Sequence, residues 1–177
     1  MKVSGLNIFS MLAVTAFFCN PANAQTVTGT IDATITLTSA CEVNGSTATS
    51  GVDFGTIDFG SHSTLFSEAT STLDPGGGGS GISIQCSPGS DASLTIVGGL
   101  NDASVAGSGR AMKNGSLYVP YDIYSDASFA TLLANGNSIA VTADGTIQTI
   151  PIYGKALGNG GLTAGLYSDT ISVTLSF

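Results

Sequence analysis

Residues 27–38 read Val-Thr-Gly-Thr-Ile-Asp-Ala-Thr-Ile-Thr-Leu-Thr. Apolar or small residues alternate here with polar ones, and this period of two predicts a β-strand with one dry face and one wet face. At ~3.3 Å per residue the strand would be about 40 Å long. It either closes a sheet of this chain or completes a sheet of another molecule. The residues on its dry face are Val27, Gly29, Ile31, Ala33, Ile35 and Leu37.

Residues 1–24 have the features of a secretory signal peptide. Lys2 precedes an apolar run around residues 8–18, and Ala22-Asn23-Ala24 is a small-residue cleavage site. The apolar run is too short to span a bilayer permanently. We therefore expect cleavage after Ala24 and an exported chain of 153 residues (177 − 24), about the size of one domain.

The charge of the exported chain limits its partners. Three basic residues face twelve acidic ones once Lys2 is removed, which gives a net charge of −9. Such a surface does not neutralise phosphates, so we expect no nucleic-acid partner. Only 9% of the full chain is charged. Low charge together with many threonines is typical of extracellular β proteins.

Two cysteines, Cys41 and Cys86, remain after the signal peptide is removed with Cys19. An even number of cysteines in an exported chain predicts a disulfide. Closing a loop of this length would stabilise the fold by roughly 4 kcal/mol in the chain-entropy model. A metal site is disfavoured because the sequence has a single histidine, His62, and no Cys-x-x-Cys pair.

The rest of the chain predicts an all-β fold. Short alternating runs are separated by Gly, Asn, Asp and Ser, and no run keeps a helical period beyond about one turn. Ala143-Asp144-Gly145 predicts a hairpin turn between a strand at 138–142 and a strand at 146–153. The clearest strands are 82–86, 94–96, 117–124 and 167–177, and the last has Tyr167, Ile171, Val173, Leu175 and Phe177 on one face.

Motifs that carry enzymatic chemistry are missing from the sequence. It contains no nucleophile elbow, zinc-binding helix motif or phosphate loop. We interpret the glycines at 76–79 as a linker, and Asp53-Phe54-Gly55 and Asp58-Phe59-Gly60 as core phenylalanines beside glycine bulges. We expect no catalytic residue, no metal, no cofactor and no small-molecule substrate. Calcium stays open, because the twelve carboxylates could supply oxygen ligands, although most of them stand singly at turns.

Taken in order, the motifs of the exported chain resemble a known family. That family is the pilins of the archaic chaperone–usher type, whose domain is also called spore-coat-protein-U-like. The resemblance covers essentially the whole exported chain. The segments that carry it are Val27-Thr28-Gly29, Cys41 with Val43 and Gly45, Ile57-Asp58-Phe59-Gly60, 82–86, 118–124, Ile150-Pro151-Ile152-Tyr153-Gly154, 165–170 and 173–177.

The resemblance implies an incomplete, six-stranded immunoglobulin-like β-sandwich that lacks its last strand. Donor-strand complementation would complete it by filling a groove beside the C-terminal strand. A periplasmic chaperone would fill the groove first and anchor the carboxylate of Phe177, and at an outer-membrane usher the N-terminal strand of an identical or related pilin would replace the chaperone. The residues of the C-terminal strand implied to face the groove and the chaperone are Ile171, Val173, Leu175 and Phe177.

The resemblance also implies a domain organisation and a function. Residues 25–36 would be the donor strand, with Val27, Gly29, Ile31, Ala33 and Ile35 facing the groove, and residues 37–177 would be the pilin domain. The protein would be a structural subunit of pili at the cell surface and would support attachment and biofilm formation. The alternative is a self-contained secreted β-sandwich that binds carbohydrate or calcium, with the N-terminal strand on its own sheet.

Overall fold

The structure is a computed structural model, and it describes residues 25–76, 79–105 and 109–177. The signal peptide predicted for residues 1–24 lies outside the described residues. The chain divides into two units between Thr36 and Leu37. The described residues contain no helix, and therefore none long and apolar enough to cross a membrane.

The unit from Leu37 to Phe177 is all-β, as the sequence predicts. Its described residues form three antiparallel sheets, with the strand orders β1-β3-β8, β10-β4-β7 and β2-β9-β6-β5. The resemblance implies six strands, but the described residues of this unit form ten shorter ones. One reason is Pro151, which has no N–H and separates two strands that join different sheets. The strands are β1 (Cys41–Val43), β2 (Glu68–Thr72), β3 (Ile82–Cys86), β4 (Ala92–Gly99), β5 (Arg110–Asn114), β6 (Leu117–Tyr124), β7 (Ser138–Val141), β8 (Gln148–Ile150), β9 (Tyr153–Leu157) and β10 (Ile171–Ser176).

The core is built from every second residue of β3, β4 and β6. Ile82 and Ile84 of β3 are completely buried, and so is Leu94 of β4. Val119, Tyr121 and Ile123 of β6 belong to the same cluster of buried side chains. The strands predicted at 82–86 and 94–96 are therefore confirmed, and their buried side follows from the alternation of apolar and polar residues.

The predicted disulfide is present. Cys41 and Cys86 lie directly opposite each other in the ladder between β1 and β3 and are bonded. Both cysteines are buried. The bond therefore ties the first strand of the unit to one of its central strands.

The alternating stretch at residues 27–38 is not a strand in the single chain. None of the described residues from 25 to 40 belongs to a strand, and Val27 and Ile31 are each 97% exposed. A β-strand needs a neighbour for its backbone N–H and C=O groups. The strand that the sequence predicts here is therefore not formed in the described residues.

The hairpin predicted around Asp144 is wrong. β7 pairs with β4, whereas β8 pairs with β3, so the two strands belong to different sheets. The Asp144 carboxylate accepts hydrogen bonds from the backbone N–H and the hydroxyl of Thr146, at 2.8 and 2.6 Å. Asp144 and Gly145 do form a turn, but the turn connects two different sheets. Val141 before it pairs with β4 and Ile150 after it pairs with β3, and both side chains are buried.

Candidate functional site

A long apolar groove opens in the unit from Leu37 to Phe177. Its volume is about 1480 Å³, and its two walls are residues 48–64 and residues 162–177. Pockets for small ligands are usually ~300–1,000 Å³. The groove is therefore larger than a typical small-molecule site and is bounded by two continuous runs of chain. The core side chains that reach its floor include Ile82, Ile96, Val119, Tyr121, Ile123, Ile152 and Ala156.

The wall at 162–177 contains β10. This strand pairs with β4 along one side, and none of the other described strands pairs with its second side. The residues predicted to face the groove, Ile171, Val173 and Leu175, are half-buried and line it, and Phe177 lines it while 50% exposed. The residues between them are exposed. β10 thus offers the groove an apolar face and an unpaired backbone edge.

The wall at 48–64 contains no strand. Its only β-bridge joins Thr56 to Asp74 through two backbone hydrogen bonds of 2.8 Å. In both Asp-Phe-Gly triplets the carboxylate accepts the N–H of the glycine, at 2.9 Å for Asp53 and 2.8 Å for Asp58. Phe54 and Phe59, the central residues of the two triplets, are half-buried against the core. These side-chain turns bend the wall and keep it out of a regular ladder.

Gly154 of β9 lets this wall lie close to the sheet. A Cβ atom at position 154 would lie 2.6 Å from Cγ2 of Ile57 and 2.9 Å from Cζ of Phe59. Any larger residue would therefore push these two side chains outward. The glycine belongs to the segment 150–154 that carries the family resemblance, and the structure supplies a physical reason for it.

Tyr121 connects the floor of the groove with both walls. Its ring meets the ring of Phe59 edge to face, with the centroids 6.0 Å apart. Its hydroxyl donates a hydrogen bond of 2.8 Å to Oδ2 of Asp169, just before β10. Burial, and then the Asp169 carboxylate, raise the pKa of Tyr121 far above its usual range, so the hydroxyl stays protonated and donates.

Arg110 is a buried cation behind this site, and sequence reasoning did not identify it. Its side chain is 1% exposed. Nη2 donates 2.9 Å hydrogen bonds to the carbonyl of Leu133 and to Oδ1 of Asn135, and Nη1 lies 3.9 Å from Oδ1 of Asp122. Burial raises the pKa of Asp122, and Arg110 partly opposes that rise. A glycine- and serine-rich segment before a short strand gave no signal that this arginine would be buried.

The described residues offer no arrangement for metal chemistry: no group of three or more His, Cys, Asp or Glu is placed to hold an ion. His62 is exposed, its Nε2 lies 2.7 Å from the carbonyl oxygen of Phe59, and its ring lies beside Phe66. The predicted donor residues lie in the unit before Leu37, and each of them is exposed: Val27, Gly29, Ile31, Ala33 and Ile35.

The comparison with protein families decides the classification. A model of the Spore Coat Protein U domain matches residues 27–174. This chain belongs to that family. The resemblance noted in the sequence is therefore confirmed, and the match includes most of the stretch that is exposed before Cys41.

Among the known proteins to which this chain is similar are one curated protein and one solved structure. Protein U of Myxococcus xanthus is 27% identical over 165 residues, which is 89% of each chain. A chain in the crystal structure of the CsuC-CsuE chaperone-tip adhesion subunit pre-assembly complex, from archaic chaperone-usher Csu pili of Acinetobacter baumannii, is 24% identical with a TM-score of 0.49. The match covers 80% of the present chain and 40% of that chain.

Proposed function

We propose that this protein is a structural subunit of an archaic chaperone–usher pilus and that it polymerises by donor-strand exchange. The observation that carries the proposal is the groove, whose walls at 48–64 and 162–177 are not joined by a strand although its floor is apolar. A β-sandwich that lacks one strand would leave such a gap. The free edge of β10 supports an incomplete immunoglobulin-like domain in which the added strand pairs with β10.

The occupant that we propose is residues 25–36 of a second copy. Their alternation would place large side chains at every fourth position along one face, with a smaller residue between them. Val27, Ile31 and Ile35 are 97, 97 and 83% exposed, so each could gain roughly 1.5–3 kcal/mol by burial. Backbone hydrogen bonds to the edge of β10 would add to this.

Head-to-tail addition of such strands would build a filament. The segment before Leu37 and the groove are different surfaces, so each contact would be heterologous and would leave both ends free to continue. An unfilled groove is also an aggregation hazard. A periplasmic chaperone would cover it, and an outer-membrane usher would exchange the chaperone for the next subunit. The filament would stand on the cell surface and support attachment and biofilm formation.

The proposal is tested by thermal unfolding of a chain that lacks residues 25–36, alone and with a synthetic peptide of residues 26–37. At a peptide concentration about 1,000 times its Kd, binding to the folded state adds about 4 kcal/mol, which raises the Tm by roughly 8–16 °C for a chain of this size. The matched control is the same peptide with Ile31→Asp, which should leave the Tm unchanged. If the shortened chain is fully stable alone and ignores both peptides, the proposal is wrong, and glycans and calcium become the ligands to screen.

A further inference from the structure

Tyr121, on the floor of the groove, contacts both walls. Its ring packs on Phe59 of the wall at 48–64, and its hydroxyl binds Asp169 of the wall at 162–177. Only 5% of its surface is exposed. An aromatic ring does not change length, so its two ends hold Phe59 and Asp169 at a set separation.

Asp169 is fixed from the other side as well. Its Oδ1 accepts hydrogen bonds from the backbone N–H and from the side-chain amide of Asn101, at 3.2 and 2.9 Å. Its neighbour Ser168 exchanges two backbone hydrogen bonds with Lys113 of β5, at 2.9 and 3.2 Å. The start of β10 is thus tied to β5 and β6, whereas the strand itself is held by its ladder with β4.

We propose that Tyr121 and Asp169 are positioning residues that fix the width of the groove at the start of β10 and so determine how firmly an added strand is held. This inference rests on the proposed function. Paired strands lie about 4.8 Å apart, and their hydrogen bonds lengthen beyond the useful range with a displacement of about 0.5 Å. A wall that is free to move would therefore satisfy fewer bonds of the added strand at any moment.

The experiment uses the full exported chain with Ile31→Asp and Ile35→Asp, so that its own N-terminal segment does not compete. The protein is refolded with a fluorescent peptide of residues 26–37, and release of the peptide is followed after excess unlabelled peptide is added. Tyr121→Phe removes the hydrogen bond to the Asp169 carboxylate. We therefore expect this variant to release the peptide about tenfold faster than the parent. The matched control is Tyr124→Phe, on the same strand but outside the groove lining, which should release the peptide at the parent rate.

Two substitutions at Asp169 test the same contact from the opposite wall. In Asp169→Asn the amide oxygen still accepts from Asn101, and the amide N–H can donate to the Tyr121 oxygen, so the separation is kept and release stays near the parent rate. Asp169→Ala removes the bond from Tyr121 and the two bonds from Asn101, and it should release the peptide about tenfold faster, as in Tyr121→Phe. Tyr121→Phe and Asp169→Ala each test the inference, so one of them suffices if the other fails to refold.

Urea unfolding of the same complexes separates positioning from general stability. If Tyr121→Phe lowers the urea midpoint but releases the peptide at the parent rate, the residue is merely structural and the inference is wrong. If the parent forms no complex with the peptide, the proposed function itself fails. Faster release from Tyr121→Phe and Asp169→Ala, with Tyr124→Phe and Asp169→Asn unchanged, supports the inference.

Discussion

Replacing Arg110 by Met tests whether the buried polar cluster holds this fold together. Met has a similar length and no charge, so the change removes the guanidinium with little change in volume. The carbonyl of Leu133 and the amide of Asn135 would lose their donors, both at 2.9 Å. Asp122 would lose its nearest cation.

The expected loss of stability follows from these contacts. Removing one partner of a buried ion pair costs about 3–5 kcal/mol. The Asp122 side chain keeps 22% of its exposure, and the Nη1–Oδ1 distance is 3.9 Å, which favours the lower end of that range. A loss of about 3 kcal/mol corresponds to a fall in Tm of roughly 6–12 °C for a domain of this size.

The loss of stability caused by Arg110→Met should depend on pH. The pKa of Asp122 is raised from its ordinary value of 3.8, chiefly by burial, and Arg110 opposes this rise. A carboxyl group with a higher pKa in the folded state binds more protons when folded, so stability falls as the pH rises from about 4 through that folded pKa. Without Arg110 the folded pKa rises further, and Arg110→Met should therefore cost more stability near pH 7 than near pH 4.

The assay is thermal unfolding followed by circular dichroism at both pH values, for the parent, Arg110→Met and the double variant with Asp122→Asn. The second substitution removes the unpaired carboxylate and should recover part of the Tm at neutral pH. If Arg110→Met melts within about 2 °C of the parent at both pH values, the cluster does not contribute as argued.

Three further predictions concern other parts of the fold. Gly154→Ala should cost about 1–3 kcal/mol in urea unfolding, because the new methyl group displaces Ile57, whereas an unchanged midpoint would mean that the wall yields freely. Reducing the Cys41–Cys86 bond should lower the free energy of unfolding by roughly 4 kcal/mol, and a loss below 1 kcal/mol would contradict the chain-entropy account. Hydrogen bonds from Ser128 and from backbone N–H groups lower the pKa of Asp126, so its stabilising effect is present above the ordinary value of 3.8 and is lost as the pH falls further. Asp126→Ala should remove that part of the acid sensitivity in a pH titration of stability, and an unchanged acid profile would refute the assignment.

The parts of the fold that are encoded locally could be predicted from the sequence. The alternation of Ile82 and Ile84 assigns their burial without any knowledge of the neighbouring strands. Leu117–Tyr124 was predicted with the bounds that the structure gives. The disulfide followed from two cysteines in a chain predicted to be exported. The strands need only the residue types and a period of two, and the disulfide needs only the number of cysteines and the predicted export.

The parts that depend on partners distant in sequence could not be predicted. Asp144 and Gly145 signal a turn, but nothing near them states that the next strand joins a different sheet. The burial of Arg110 in β5 depends on Leu133 and Asn135, which lie on a loop distant in sequence. The bond from Tyr121 to Asp169 spans 48 residues. Such contacts depend on how whole sheets pack against each other, and no local sequence pattern predicts them.

The disulfide has a mechanical consequence for a filament of such subunits. Tension on the segment before Leu37 would enter this unit at Cys41 and pass through the covalent bond to Cys86. From Cys86 a short turn leads to β4, which is hydrogen-bonded to β10 at the groove. The force would therefore cross from one subunit to the next through β4 and β10. Residues 42–85 would be bypassed, and pulling would leave their strands unloaded.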